Sequence, residues 1–202
     1  MSTVMLQDVR LSFANALFEA KQVQGTGDAK FSASFIIPPA HPCVKAIKDA
    51  MKKVAEEKWG AKAAETFMAL KAGDKLALRD GDTKPQYEGY KGNMFLNASN
   101  KIKPLVIDGN KSPLQASSGK PYAGCYVNGS VEVWAQDNAF GKRINATLKG
   151  VQFLRDGARL AGGGVASAED FEAIPEAAPA AGAAQASSTG GAATGGNPDP
   201  FA

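Results

Sequence analysis

Two aromatic residues lie among polar side chains on one face of an extended segment in the C-terminal half of the chain. Alternation over residues 124–136 places Tyr126 and Trp134 on the same side, with Asn128 and Ser130 between them. Rings on an open sheet face stack nucleic-acid bases at about 1–3 kcal/mol each and require no particular sequence. The pattern is therefore typical of a platform for single-stranded nucleic acid.

Neighbouring segments bring further aromatic, amide and basic residues to this face. The outward positions over 93–99 and 143–149 supply a ring, an amide and two cations, and the adjoining loops add another ring and three lysines. Cations of this kind neutralise phosphates. A second small core, with Phe95, Tyr126 and Trp134 packed under a helical insert, is the alternative that the pattern leaves open. The added candidates for nucleic-acid binding are Phe95, Asn97, Arg143, Lys149, Tyr90, Lys91, Lys101 and Lys103.

The remaining reactive side chains do not combine into a catalytic or metal-binding set. His41 is the single histidine, and two cysteines cannot form a disulfide framework. Cys125 falls on the apolar face of its strand, which favours an inert buried thiol. No pair of carboxylates has the pattern of a general acid and base. We therefore expect no enzymatic activity, no cofactor and no metal.

Hydrophobic periodicity predicts a mostly β body with one helical insert. Apolar residues at three- and four-residue spacing, beginning at Val44 and Ile47, indicate a helix that ends near Gly60, and a shorter helical piece follows. This arrangement favours a small closed or partly open β-barrel over a doubly wound α/β fold, because the strand–helix alternation of a parallel sheet is missing. The predicted strands cover 4–13, 30–37, 76–79, 93–99, 103–107, 124–136 and 143–154, and the insert covers about 43–71.

Charge and composition change together near residue 160. The 202 residues carry a net charge of +3, but all 23 lysines and arginines lie at or before Arg159, against 15 acidic residues there. Five acidic residues and no basic ones follow, in a segment of mostly Ala, Gly, Ser and Pro. Such a segment buries too little apolar surface to offset its ordering entropy. We expect a folded domain over 1–162 and a flexible acidic tail over 163–202.

A set of short segments occurs in an order that resembles a known family. These segments are RLSFANALFE from residue 10, KFSASFIIP from 30, LRDGD from 78, NAS from 97, GCYVN from 124 and VQFLRDG from 151. The chain resembles, over about residues 5–172, the single-stranded DNA-binding proteins of tailed bacteriophages.

The resemblance implies an OB-fold that coats single-stranded DNA in phage replication or recombination and performs no catalysis. It also implies that the acidic tail, with Asp199 and Phe201 near its end, contacts phage or host replication and recombination proteins. The terminus departs from the family pattern, since one carboxylate precedes Phe201 and an alanine follows it. A homodimer is a further expected assembly.

Other sequence features bear on location and on alternative functions. No apolar run is long enough for a membrane-spanning helix, and no signal peptide is recognisable, so we expect the host-cell cytoplasm and no membrane partner. An RNA-binding barrel is one alternative, because such platforms do not distinguish the 2′-hydroxyl by pattern. A structural or assembly protein, whose sheet face mates with another subunit, is the other.

Overall fold

The computed structural model describes residues 1–23 and 26–160. The chain divides into two units, Met1–Ser167 and Ala168–Ala202. The second unit lies outside the described residues, and so does the predicted acidic tail.

Within the described residues, seven strands form one sheet. The predicted strands are all present, but the first two continue much further into their hairpin than their apolar pattern predicted. The strands are β1 Ser2–Val23, β2 Thr26–Ile37, β3 Leu78–Asp80, β4 Met94–Asn100, β5 Leu105–Ile107, β6 Tyr126–Asn138 and β7 Gly141–Arg155.

The sheet closes into a five-stranded barrel, which confirms the predicted fold class. The strand order is β3-β4-β2-β1-β6-β7-β5, and an additional parallel pairing joins β4 to β7 through Ser99 and Thr147. The other barrel pairings are antiparallel. Closure removes the free edges of the five barrel strands, and the short strands β3 and β5 extend the sheet outside the ring.

The long first strand joins two parts of the barrel because it is bulged. Its first half pairs with β6 and its second half with β2, and the register shifts between Leu6 and Val9 and again between Ser12 and Ala16. Asp8 and Phe13 have positive φ values of 48° and 49° within these irregular stretches. Such bulges bend a strand and increase its twist, so that one strand can belong to both sides of the barrel.

The helical insert packs against β1 and β6. It consists of α1 Pro42–Trp59 and α2 Ala63–Ala72. At the start of α1, the His41 Nδ1 accepts a hydrogen bond of 3.2 Å from the Cys43 backbone N–H. Helix α1 ends at Gly60, as predicted, where φ is 52°. No helix within the described residues is long and apolar enough to cross a lipid bilayer.

The barrel interior holds the apolar residues that alternation assigned to it. Phe35, Leu96, Val131 and Leu148 are fully buried, and each such side chain contributes about 1.5–3 kcal/mol relative to an exposed one. A Cβ at Gly129 would lie 3.1 Å from the Phe35 ring, so this glycine gives the ring its space. The outward positions of β6 and β7 are mostly polar.

Candidate nucleic-acid interface

Trp134 is the predicted platform ring that the structure leaves partly exposed on the outer face. Its indole Nε1 donates a hydrogen bond of 3.0 Å to the Thr147 hydroxyl on β7, and Trp134 lies directly opposite Asn145 in the register. Thr147 in turn pairs with Ser99 on β4. The hydrogen bond orients the ring on a surface of small polar residues, which is an arrangement that suits base stacking.

Amide groups continue from Trp134 towards the end of the β6–β7 hairpin. Asn145 Nδ2 donates to Gln136 Oε1 at 3.0 Å, and Gln136 Nε2 donates to Asn138 Oδ1 at 3.1 Å. Arg143 lies opposite Gln136 and is exposed. This part of the face thus presents amides beside a cation.

Lys149 is on the same face, but it is paired. Its Nζ lies 3.1 Å from the Glu132 carboxylate, and the lysine side chain is about half exposed. A surface pair of this kind contributes at most about 1 kcal/mol. A DNA phosphate could therefore replace the Glu132 carboxylate as the partner of Lys149 with little loss of free energy.

The structure does not offer Tyr126 as an open ring. The Arg155 guanidinium carbon lies 3.5 Å from the ring centroid, and the same guanidinium contacts Asp8 at 2.8 Å. A Cβ at Gly157 would lie 3.0 Å from the Tyr126 ring, so the backbone also approaches it closely. Tyr126 is partly exposed but already stacked by a cation, at the end of β6 away from Trp134.

Asn128 is similarly occupied by its neighbours. Its Oδ1 accepts from the Asp8 backbone N–H at 3.0 Å, and its Nδ2 donates to Gln152 Oε1 at 3.0 Å. Both ends of the amide are therefore used within the fold.

The prediction that Phe95 and Tyr90 are accessible is wrong. Each is only 2% exposed, and together with Ile36 and Leu160 they form a second hydrophobic cluster outside the barrel. Phe95 does point outward from β4, as alternation required, but the loop that carries Tyr90 folds over it. For Phe95 the alternative of a second small core is correct in part, because the ring is buried outside the barrel but is covered by the loop that carries Tyr90 and not by the helical insert.

Asn97, beside Phe95 on β4, remains exposed. It lies opposite Ser34 on β2, and the Ser34 hydroxyl is hydrogen-bonded to its side-chain oxygen. Ser32 and Ser99 form the next outward pair along the two strands. These four residues form a strip of polar side chains, which we call the polar strip; Ser34 within it is buried, and the other three are at least partly exposed.

Lys101 lies beside the hairpin of β1 and β2 and forms an ion pair with Asp28 at 2.5 Å. The hydrogen bond from Lys101 and its charge hold the pKa of the Asp28 carboxyl below its usual value. Lys103 and Lys91 are exposed. The structure thus brings Lys101 close to the hairpin, whereas Lys91 lies in the loop over Phe95.

Two lysines of the same hairpin were missed by sequence reasoning. Lys21 and Lys30 lie directly opposite each other across β1 and β2, and both are exposed. Like charges in this position repel each other. The group Lys21, Lys30 and Lys101, which we call the basic arm, is therefore suited to binding an anion. The basic arm could have been identified by extending the alternating pattern of β2 past Lys30 into the hairpin.

Phe140 is a third residue that was missed. It stands at the turn between β6 and β7 and is 89% exposed, and its backbone N–H donates to Asn138 Oδ1 at 3.0 Å. The pairing of β6 and β7 continues up to Asn138 and Gly141, so the hairpin that presents the ring is fully formed. Phe140 falls between the last two predicted strands, but the sequence did not indicate how exposed its ring would be.

The structure offers no site for a metal among residues 1–23 and 26–160, where no group of three His, Cys, Asp or Glu residues is arranged for one. Burial raises the pKa of the Cys125 thiol to about 11, so it is neither a ready nucleophile nor a ready ligand. Asp199 and Phe201, the predicted partner-binding residues of the tail, lie outside the described residues.

Comparisons with known proteins give the same fold. The single-stranded DNA-binding protein of bacteriophage Enc34 in complex with single-stranded DNA superposes with a TM-score of 0.67 at 24% identity, covering 78% of this chain and 88% of that one. A single-stranded DNA-binding protein encoded by bacteriophage T7 gives a TM-score of 0.52 at 11% identity, covering 90% of this chain and all of that one. At these identities the likeness shows the fold alone.

Sequence comparison shows the family. The chain is 49% identical over 172 residues to putative protein p50 of Acyrthosiphon pisum secondary endosymbiont phage 1, which covers 84% of this chain and 92% of that protein. The model of the family described as the single-stranded DNA-binding protein of Enterobacter phage Enc34 matches residues 2–181. That match spans most of the chain, so the protein belongs to the Enc34 family of phage single-stranded DNA-binding proteins.

Proposed function

We propose that this protein binds single-stranded DNA without catalysis and coats it during phage replication or recombination. The observation that carries the proposal is the outer face of the barrel, where Thr147 joins Trp134 to Ser99 of the polar strip and Lys101 of the basic arm follows Ser99 by two residues. Bases stack on the indole, and the lysines and Arg143 contact phosphates. Membership of a family of single-stranded DNA-binding proteins supports the same function.

The chemistry of this face is suited to tolerance of sequence. Every base has a π-face for Trp134, and the amides of Asn145 and Gln136 offer both donors and acceptors. Much of their hydrogen-bonding capacity is used within the protein, so they do not form a fixed code for base edges. The protein therefore binds any single strand with similar affinity.

Competition of unlabelled nucleic acids against a labelled oligothymidylate tests the proposal. We expect single-stranded DNA of mixed sequence to compete as well as oligothymidylate, and duplex DNA of equal length to compete at least tenfold less well. Equal competition by duplex would refute a single-strand interface. Matched RNA that competes better than DNA would identify an RNA-binding barrel instead.

The acidic tail is the second part of the proposal. Its five carboxylates stand against a balance of +8 in residues 1–159, so the tail competes electrostatically with DNA for the basic face. Deleting residues 165–202 should therefore tighten DNA binding at low salt, and weaker binding would refute the competition. The end of the tail, with Asp199 and Phe201, docks replication or recombination proteins in the host cytoplasm.

A further inference from the structure

Four aromatic rings form a continuous cluster on the outer face of the barrel, away from Trp134. Ring centroids are 5.0 Å apart for Phe13 and Tyr87, 5.4 Å for Tyr87 and Tyr90, and 5.0 Å for Tyr90 and Phe95. The inner two rings are 2% exposed, whereas Phe13 and Tyr87 are 36% and 39% exposed. We call the four rings the aromatic shelf, in which a buried pair supports an exposed pair.

The loop that carries Tyr87 and Tyr90 is held by its own backbone contacts. Gly81 N–H donates to the Asn93 carbonyl at 2.8 Å, and Asp82 Oδ1 accepts from the Gly92 N–H at 2.7 Å. A Cβ at Gly81 would lie 2.0 Å from the Tyr90 carbonyl oxygen, so the loop passes directly over this glycine. Because the loop is ordered by folding, little entropy is lost when Tyr87 binds a ligand.

The backbone conformation of Phe13 is a second observation that points to a binding function for the aromatic shelf. Its φ of 49° lies in the left-handed region, which bulky residues rarely adopt. The strand bulges between Ser12 and Ala16, and the Phe13 ring packs edge-on against Tyr87. Strained residues of this kind cluster at functional sites, and here the strained residue leaves an aromatic ring partly exposed.

The aromatic shelf is continuous with the proposed DNA-binding face. Phe95 is followed along β4 by Asn97 and Ser99 of the polar strip, at alternate outward positions. Ser99 then pairs with Thr147, which holds the Trp134 indole. A surface of small polar residues thus connects the shelf to Trp134, with no bulky apolar residue among those on this path.

Charges near the shelf are nearly balanced. Lys84 and Lys91 stand on the same loop as Asp82 and Glu88, and Arg79 pairs with Asp74 at 3.2 Å. Arg10, whose guanidinium lies near Gly89 of this loop, donates to the Gly124 and Ala158 carbonyl oxygens at 3.3 and 2.9 Å. The shelf therefore lacks the excess of positive charge that marks the basic arm. A ligand group bound there is recognised by its aromatic faces rather than by its phosphates.

We propose that the aromatic shelf is a second stacking site for bases of the same DNA strand, bound by Phe13 and Tyr87. This inference rests on the proposed function. The strand passes from Trp134 across the polar strip to the shelf, with phosphates on the basic arm. Ring removal at the shelf should lower affinity while leaving the salt dependence of binding unchanged, because no phosphate contact is lost.

Fluorescence anisotropy with a labelled oligothymidylate, repeated over a series of salt concentrations, tests this inference. The variants are Tyr87→Ala and Phe13→Asn, in which asparagine tolerates the left-handed backbone. Each should bind about 5- to 150-fold more weakly, the range for one lost base–ring stack, with an unchanged slope of log affinity against log salt. The control Tyr87→Phe keeps the ring and should bind within twofold of the parent protein. Circular dichroism and thermal unfolding verify that each variant is folded.

The possible outcomes distinguish a failure of the shelf proposal from a failure of the proposed DNA-binding function. Folded shelf variants that bind as tightly as the parent protein would overturn the shelf alone, as would weaker binding with a shallower salt slope. A change in the mass of the DNA-free particle in Tyr87→Ala would assign the rings to contacts between copies and would also overturn it. A parent protein that does not bind oligothymidylate would refute the proposed function itself.

Discussion

The basic arm provides the sharpest electrostatic prediction, because one of its lysines is already paired. Lys101 lies 2.5 Å from Asp28, and both side chains are about two-thirds exposed. A DNA phosphate must compete with this carboxylate for the lysine. Lys30 lies opposite Lys21, and the charge of Lys30 also helps to lower the pKa of Asp28. Removing the carboxylate should strengthen DNA binding, and removing a lysine should weaken it.

The size of the effect follows from counterion release. Each phosphate that a cation neutralises on a single strand adds about 0.7 to the slope of log affinity against log salt. Lys30→Gln should therefore make the slope shallower by about 0.7, so that a fourfold rise in salt weakens the variant about 2.6-fold less than the parent. Asp28→Asn should bind more tightly at low salt, and the double variant Asp28→Asn/Lys101→Gln should lose that gain.

Anisotropy titrations at four or five salt concentrations measure these slopes. Lys45 and Asp49 provide a matched control, since they form an exposed ion pair of 3.2 Å on α1. Lys45→Gln and Asp49→Asn should leave the slope unchanged. If Lys30→Gln and Lys45→Gln alter the slope equally, the effect is one of net charge, and the reasoning about the arm is refuted.

Three further predictions concern stability and reactivity. Gly124→Ala should lower the melting temperature strongly or prevent folding, because φ is 107° there and a Cβ would lie 2.0 Å from the Ala158 carbonyl oxygen; a melting curve like that of the parent would contradict this. Lys120 lowers the pKa of Asp156 in the folded protein. The ionised carboxylate therefore stabilises the fold at pH values above its unfolded-state pKa of 3.8, and this stabilisation disappears as the pH falls through the lower folded-state pKa. Asp156→Asn should thus reduce the melting temperature at pH 7 but not at the acid end of a pH series followed by circular dichroism. Cys125 should react with a thiol reagent only on unfolding, since it is buried with a pKa raised to about 11; rapid labelling of the native protein would show that it is accessible.

Much of the barrel could be predicted because its strands alternate cleanly between apolar and polar residues. The alternation over β6 places Val127, Val131 and Val133 in the core, and the structure buries all three. The helix boundary at Gly60 was also predictable, since the backbone there needs a positive φ, which glycine adopts most readily. The strand alternation and the helix end depend on residues that are close together in the sequence, so they can be predicted from it.

The exposure of the rings was less predictable because it depends on distant segments. Alternation correctly puts Phe95 on the outer side of β4, but it cannot show that the loop bearing Tyr90 covers it. Phe13 falls at a bulge, where the period of two breaks down, so its outward direction was not evident. The hairpin lysines were missed because Lys21 lies beyond the apolar part of β1. Tertiary contacts and irregular strand geometry therefore decide which parts of the face are accessible.

The most direct test of the central claim follows the fluorescence of Trp134 alone. Trp59→Phe removes the other tryptophan, whose Nε1 donates a hydrogen bond of 2.9 Å to the Asp137 carboxylate. Titration of this variant with oligothymidylate should quench the remaining emission saturably, as a base stacks on the indole, while duplex DNA should give little change at the same concentration. Saturable binding measured by anisotropy, with no change in Trp134 emission, would contradict base stacking on this face.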